Sequence, residues 1–405
     1  MFEKMRFTKK KSLQFPDKDE LHSRMQLKQR DKQLLQMMFA AHVTPGNKSL
    51  FFNDLDIEKE PMEFNLMLAH LSHRHGSEGI PSTIVPRIRG VARFYLFKNA
   101  TLFSSFGRLA PIFHKAGIPL LLLKGAAIKA YYDPHTSRCL EDVDFAVPKE
   151  RLDETIKIAE NQGFYKCGNA LHSIDMKQPE INGTGCNIDI HHRLLKTSFR
   201  GSMEEELTEG ARLIRFFGTE VWIPSPENLL LHILENEFFN LCITSGDRRR
   251  FKWIYDCGMV LSSTPQLDWL RLVHTAKKYS IHDAIQPMLS VLADYLPQYV
   301  QKNIVINPKT TVQDGQLIKD FDLKLFFRSH LQSFRREKLR SEGKKWRYLF
   351  LWPSHMAAKY RVLHYHGKVD NLWRFILLHS QSENFYGVIS WLLTRLLEKK
   401  RNWNR

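Results

Sequence analysis

The chain has no Cys-x-x-Cys pair, and its five cysteines (Cys139, Cys167, Cys186, Cys242 and Cys257) are odd in number and widely spaced. This excludes a motif-encoded zinc site and a disulfide framework, and it fits a reduced, cytoplasmic interior. No uncharged apolar run approaches the ~18 residues that a membrane-crossing helix needs. The opening MFEKMRFTKKKSLQF is basic but lacks the apolar core of a secretory signal. A soluble protein, at most peripheral to a membrane, is expected. Internal repeats and low-complexity segments are also absent, which excludes solenoid and fibrous architectures.

What is present is globular. The 405 residues suffice for two or three packed domains, and 43% hydrophobic with 12% aromatic content supplies a core. The net charge of +17 is concentrated at the ends. Residues 1–30 carry 9 basic and 4 acidic side chains, and residues 324–405 carry 18 and 5, so the middle is close to neutral. Basic ends on a neutral middle suggest an acidic partner, a nucleic acid or an anionic membrane, at the periphery.

Apolar spacing predicts helices over 26–43, ending at the breaker Pro45-Gly46, then over 61–75 and 87–116. The last carries a stripe of Phe94, Leu96, Phe97, Leu102, Phe103, Phe106 and Leu109, and Gly117 stops it. Short strands are predicted over 118–123 and 143–147, a helix over 149–162, and strands over 164–167, 171–177 and 185–191. Asn182-Gly183 marks a hairpin turn. Helices return over 227–240, 248–261 and 267–279. The expected organisation is a basic leader (1–25), a helical segment (26–117), an α/β core (118–224), a helical domain (225–305), a linker (306–323) and a basic aromatic tail (324–405).

The chemistry concentrates in the stretch IPLLLLKGAAIKAYYDPHTSRCLEDVDFAV, residues 118–147. On a strand, positions i and i+2 share a face, so Asp142 and Asp144 project side by side. Adjacent carboxylates repel unless a cation lies between them, which makes the pair a seat for a divalent metal. The step Lys124-Gly125, just before a predicted helix, offers backbone N–H groups and a positive charge to a phosphate. Asp189, between Ile188 and Ile190, reaches the same seat if its strand pairs beside 143–147. It would then hold a second ion or accept a hydroxyl proton. His191 shares the face of Asp189 and suits a core or supporting role. Arg138 is open to three readings: a phosphate contact, a surface charge, or an ion-pair partner of Glu141.

These residues resemble the nucleotidyltransferase superfamily with the polymerase-β-like fold, and more closely its bacterial branch of uncharacterised nucleotidyltransferases. The likeness is carried by Lys124-Gly125, Tyr132, Arg138, Asp142-Val143-Asp144, the run from Ile188 to Leu194, and a helix with Trp253 and Asp256. It spans about residues 60–265, with a weaker echo at 347–360. Ala126 stands where the wider superfamily has Gly or Ser, as is usual in the Lys-Gly branch. The resemblance implies an α+β fold, a small mixed sheet flanked by N- and C-terminal helical segments. It implies transfer of a nucleoside monophosphate from a nucleoside triphosphate such as ATP to an acceptor hydroxyl, with release of pyrophosphate. Asp142, Asp144 and Asp189 would bind two magnesium (or manganese) ions, and Lys124, Gly125 and Arg138 the nucleotide.

Two rivals share parts of this pattern. A metal-dependent glycosyltransferase also grips a nucleotide diphosphate through Asp-x-Asp, but needs neither the Lys-Gly step nor Asp189. A non-catalytic adaptor would work through the tail, whose lysines and arginines alternate with aromatics such as Trp346, Trp352, Trp373 and Trp391. That composition serves base stacking with phosphate pairing, an ordinary helical domain, or an anionic membrane surface. The acceptor itself is not encoded in any motif.

Overall fold

The computed structural model describes residues 26–133, 135–169, 172–179, 185–195, 208–216, 218–243, 252–279 and 281–300. The leader 1–25, the Asn182-Gly183 turn, the linker 306–323 and the tail 324–405 lie outside them.

The N-terminal part is helical: α1 (Gln29–Phe39), α2 (Pro45–Phe52), α3 (Met62–His75) and α4 (Val85–Lys115). Helix α2 was not expected, because Pro45 reads as a breaker. In the structure it occupies the first turn, where its missing N–H costs nothing, and Thr44 Oγ1 caps the helix by accepting from the Asn47 N–H at 3.2 Å. The stripe on α4 also needs correction. Leu102, Phe103, Phe106 and Leu109 are buried, whereas Phe94, Leu96 and Phe97 are exposed. The buried seam runs through Ile88, Tyr95, Asn99, Leu102, Phe106, Leu109 and Phe113, steps of seven, four and three that leave 94 and 97 off the line.

The α/β part follows as β1 (Leu121–Leu122), α5 (Lys124–Ile128), β2 (Val143–Ala146), α6 (Leu152–Asn161), β3 (Tyr165–Asn169), β4 (Ser173–Lys177), β5 (Asn187–His191), β6 (Arg212–Phe216) and β7 (Thr219–Ile223). The seven strands form one mixed sheet in the order β3-β4-β5-β2-β1-β7-β6. Pairs β2–β5 and β1–β7 are parallel; the others are antiparallel. The fold is therefore α+β. The hairpin β6–β7 was missed, although β7 alternates buried and exposed residues along its length and Gly218 supplies the turn at φ 83°. Helices α7 (Pro226–Ile243), α8 (Lys252–Ser262), α9 (Trp269–Lys278) and α10 (His282–Tyr295) complete the described chain. No helix among the described residues is long and apolar enough to cross a membrane.

The strand period of two divides the sheet chemically. Val143 and Phe145 of β2 pair with Ile188 and Ile190 of β5, which pair with Met176 and Ile174 of β4, so these residues lie on one face. Helix α4 covers that face: Phe106 and Phe113 meet the Phe145 ring at 5.3 and 5.7 Å between centroids. Asp144, Asp189, Asp175, His191 and Ser173 occupy alternate positions and so share the opposite face.

Candidate active site

Register brings the carboxylates together. Asp144 of β2 is the direct partner of Asp189 of β5, which is the direct partner of Asp175 of β4. Asp142 lies two residues before Asp144 and is pushed up to about 6 by burial and by the Asp144 charge. Asp175 was missed in the sequence, yet it sits between Ile174 and Met176 as Asp189 sits between Ile188 and Ile190; that apolar flanking was the available signal. Its cross-strand partner on β3 is Gly168. A Cβ there would lie 2.9 Å from Asp175 Cγ, so a larger residue would displace this carboxylate.

Like charges directly opposite on a sheet destabilise it unless they are compensated. Lys124 supplies compensation. Its ammonium bonds to Asp144 Oδ1 and reaches Asp189 Oδ2 at 3.4 Å and His191 Nε2 at 3.1 Å. Burial opposes the Lys124 charge, but Asp144 and then Asp189 outweigh it and raise its pKa. Lys124 holds φ 43°, an uncommon left-handed conformation for a residue with a side chain, at the point where β1 turns into α5. His191 is fully buried, with Nε2 2.9 Å from Asp189 and 3.2 Å from Asp144. Burial pushes this imidazole down, and the two carboxylates more than restore it, so its pKa is raised. Burial would raise Asp189, but His191 and Lys124 hold it well below the usual carboxylate range.

Four carboxylates thus lie about one ammonium and the imidazoles of His191 and His172. Asp189 Oδ1 is buried with no hydrogen-bond partner, and Lys124 stands where a cation between Asp144 and Asp189 belongs. Oxygen donors in excess, one of them orphaned, fit a hard divalent ion such as magnesium or manganese.

The other two expected nucleotide-binding residues, Gly125 and Arg138, pack against each other. The Arg138 guanidinium donates from Nε and Nη2 to Asp256 on α8 at 2.9 and 2.8 Å, and the Tyr132 hydroxyl donates to the same carboxylate at 2.7 Å. Its ion-pair partner is Asp256, not Glu141. Arg138 is brought beneath Gly125, where any Cβ would collide with Arg138 Nη1 and Leu140 Cδ2. Gly125 is thus required for close packing; its own φ is not positive. Asn99 of α4 fixes the same loop by donating to Ser137 Oγ at 2.7 Å and to the Arg138 carbonyl at 2.6 Å.

The profile of a family described as uncharacterised nucleotidyltransferase matches residues 64–297. Among solved structures, the chain is similar to the antibiotic-resistance factor ANT(2″)-Ia in solution at 16% identity, covering 49% of this chain and 98% of that one, with a TM-score of 0.33. The crystal structure of ANT(2″)-Ia with adenylyl-2″-tobramycin gives the same identity and coverage and a TM-score of 0.30. An antigenic nucleotidyltransferase-like protein from Paracoccidioides brasiliensis is 16% identical, covering 46% of this chain and 93% of that one, with a TM-score of 0.30. No curated protein matches the chain.

Proposed function

The chain belongs to the uncharacterised nucleotidyltransferase family, and from that premise we propose that it moves a nucleoside monophosphate from a nucleoside triphosphate to an acceptor hydroxyl, releasing pyrophosphate, with divalent metal ions. The observation that carries this reading is the row of Asp144 and Asp189 in direct register, with Asp142 two residues upstream and an ammonium spanning the two buried carboxylates. A metal-dependent glycosyltransferase has no use for Asp189 in that place.

Asp142, Asp144 and Asp189 would hold the ions. Bound there, magnesium supplies neutralisation of the triphosphate charge and activation of the attacking hydroxyl. The protein's own part begins with Lys124, which releases the carboxylates and turns its ammonium to the phosphates. A lysine suits this exchange because it is a compact charge on a flexible stem. His191, buried and bonded to both carboxylates, keeps their oxygens aimed at the open side. Gly125, packed on Arg138 and Leu140, fixes the start of α5 and with it the backbone from which Lys124 swings. The acceptor oxygen attacks the α-phosphorus as its proton passes to solvent or to a carboxylate of the cluster, and the bond to the β-phosphate oxygen breaks, so that pyrophosphate leaves with that electron pair.

The test is incubation of the full chain with each α-phosphate-labelled nucleotide, magnesium and a cell lysate, followed by identification of the labelled product. Asp142→Asn and Asp144→Asn should each lower labelling by far more than tenfold, since tenfold is only about 1.4 kcal/mol of barrier. A folded single variant that retains a tenth of wild-type labelling sinks the assignment.

A further inference from the structure

The carboxylates alone would make this a hard, oxygen-only site, but two imidazoles stand against them. His172 immediately precedes β4, and Ser173 pairs with His191 across the strands. The backbone N–H of His192 donates to the His172 carbonyl at 3.0 Å, which ties the start of β4 to the end of β5. The two rings lie 5.3 Å apart between centroids. One donor atom each from His172, Asp189 and His191 lies within 4.8 Å of the others. Asp189 contributes something further: its residue is 8% exposed, and its Oδ1 is buried without a hydrogen-bond partner. A buried carboxylate oxygen left without a partner is costly, and it calls for a cation.

We propose that His172, Asp189 and His191 form a binding site for a first-row transition dication, of the class from manganese to zinc, whose nitrogen ligands set it apart from the magnesium seat at Asp142 and Asp144. Two imidazoles and one carboxylate are the donor set such ions prefer, whereas magnesium favours oxygen and water. Bonds of about 2.0–2.2 Å draw the three donors together with small side-chain rotations. The site shares Asp189 with the proposed catalytic cluster. It also draws on His191, which Lys124 touches, so an ion here competes directly with the ammonium. The cation at this end of the cluster is therefore chosen by softness as well as by charge.

This inference rests on the cluster being a cation seat but not on nucleotidyl transfer, and its test uses no nucleotide. The full-length chain, freed of metal with a chelator, is titrated by calorimetry with cobalt(II) and separately with magnesium, and the cobalt absorption spectrum is recorded. Cobalt should bind one site at least tenfold more tightly than magnesium and show the absorption of a nitrogen-ligated ion. His172→Gln should weaken cobalt by on the order of tenfold or more and leave magnesium unchanged. His172→Asp restores a ligand but makes it oxygen, so cobalt binding should recover while its preference over magnesium shrinks. Thermal melts of both variants show that they are folded. If His172→Gln binds cobalt as wild type does, or if wild type does not distinguish cobalt from magnesium, the proposal is overturned. Loss of labelling activity with cobalt binding intact would instead count against the proposed reaction alone.

Discussion

Two buried polar clusters lie about the loop that joins α5 to β2, and they are built on opposite principles. In the helical one, Arg138 and Asp256 neutralise each other, with Tyr132 donating to the same carboxylate. In the sheet one, Asp142, Asp144, Asp175 and Asp189 outnumber the Lys124 ammonium and the imidazoles of His191 and His172, and Asp189 keeps one buried oxygen without a hydrogen-bond partner. A balanced, hydrogen-bonded cluster holds a fold in place. An unbalanced one leaves like charges in excess, which a bound cation would offset. The same reagent, removal of one charge, should therefore act in opposite directions on the two.

The largest effect is expected on the balanced side. Arg138→Met leaves the Asp256 carboxylate buried without its ion-pair partner, and Asp256→Asn leaves the Arg138 charge buried without its own. Losing one partner of a buried pair costs about 3–5 kcal/mol. Chemical denaturation of each variant measures it. A loss below about 1 kcal/mol would mean that the pair is solvated in solution, and the contrast with the sheet cluster would collapse.

The next effect separates two buried histidines. His70 of α3 is 3% exposed, with Nδ1 2.8 Å from the Tyr255 hydroxyl, and burial lowers its pKa to about 4 from 6.5. It is neutral in the fold, so the unfolded chain binds the proton first. Its contribution to stability is whole above pH 6.5 and is lost as pH falls toward 4, a change of about 3 kcal/mol at 1.36 kcal/mol per unit. His191, held between carboxylates, is shifted in the other direction and acts above 6.5, outside this window. Asp142 works in the opposite sense between 3.8 and 6, so the quantity to read is the difference between wild type and His70→Gln in melts from pH 7 to 4.5. Parallel curves would remove His70 from the account.

Much of the site was legible because strand periodicity is local. The apolar flanks of Asp144 and Asp189 put both on strands, and the alternation fixed which neighbours share their face. What could not be read was register: that Asp144 lies opposite Asp189, and that Asp175 joins them from β4, depends on long-range pairing that no local pattern encodes. The same limit hid the partner of Arg138, because Asp256 is 118 residues away. The Lys-Gly step offers backbone N–H groups and a charge to a phosphate, and in the structure the Lys124 ammonium lies on Asp144 and Asp189, a contact across 20 and 65 residues that no local pattern encodes. Helix α2 and the β6–β7 hairpin were lost for a different reason. Pro45 reads as a breaker by residue type, whereas its place in the first turn makes it a starter, and the alternation of β7 after Gly218 is a strand signal too short to stand out.

The smallest effect is the most discriminating, because its sign is opposite to that on the balanced side. Asp142 carries a pKa of about 6 because burial and the Asp144 charge disfavour its ionised form. An acid whose folded pKa lies above its unfolded 3.8 destabilises the fold once ionised, fully above pH 6 and not at all below 3.8. Asp142→Asn removes that penalty. The side chain is partly exposed, so solvent screening reduces the gain to about 1 kcal/mol, or roughly 2–4 °C in melting temperature for a folded body of this size. The gain should be seen at pH 7.5 without metal and should fade toward pH 4. Added magnesium should then raise the wild-type midpoint more than the variant's, because binding stabilises the fold in proportion to affinity and the variant has lost a ligand. If Asp142→Asn instead melts lower than wild type at pH 7.5 without metal, the carboxylate excess is already compensated within the chain. The sheet cluster would then be a second structural network rather than a cation seat.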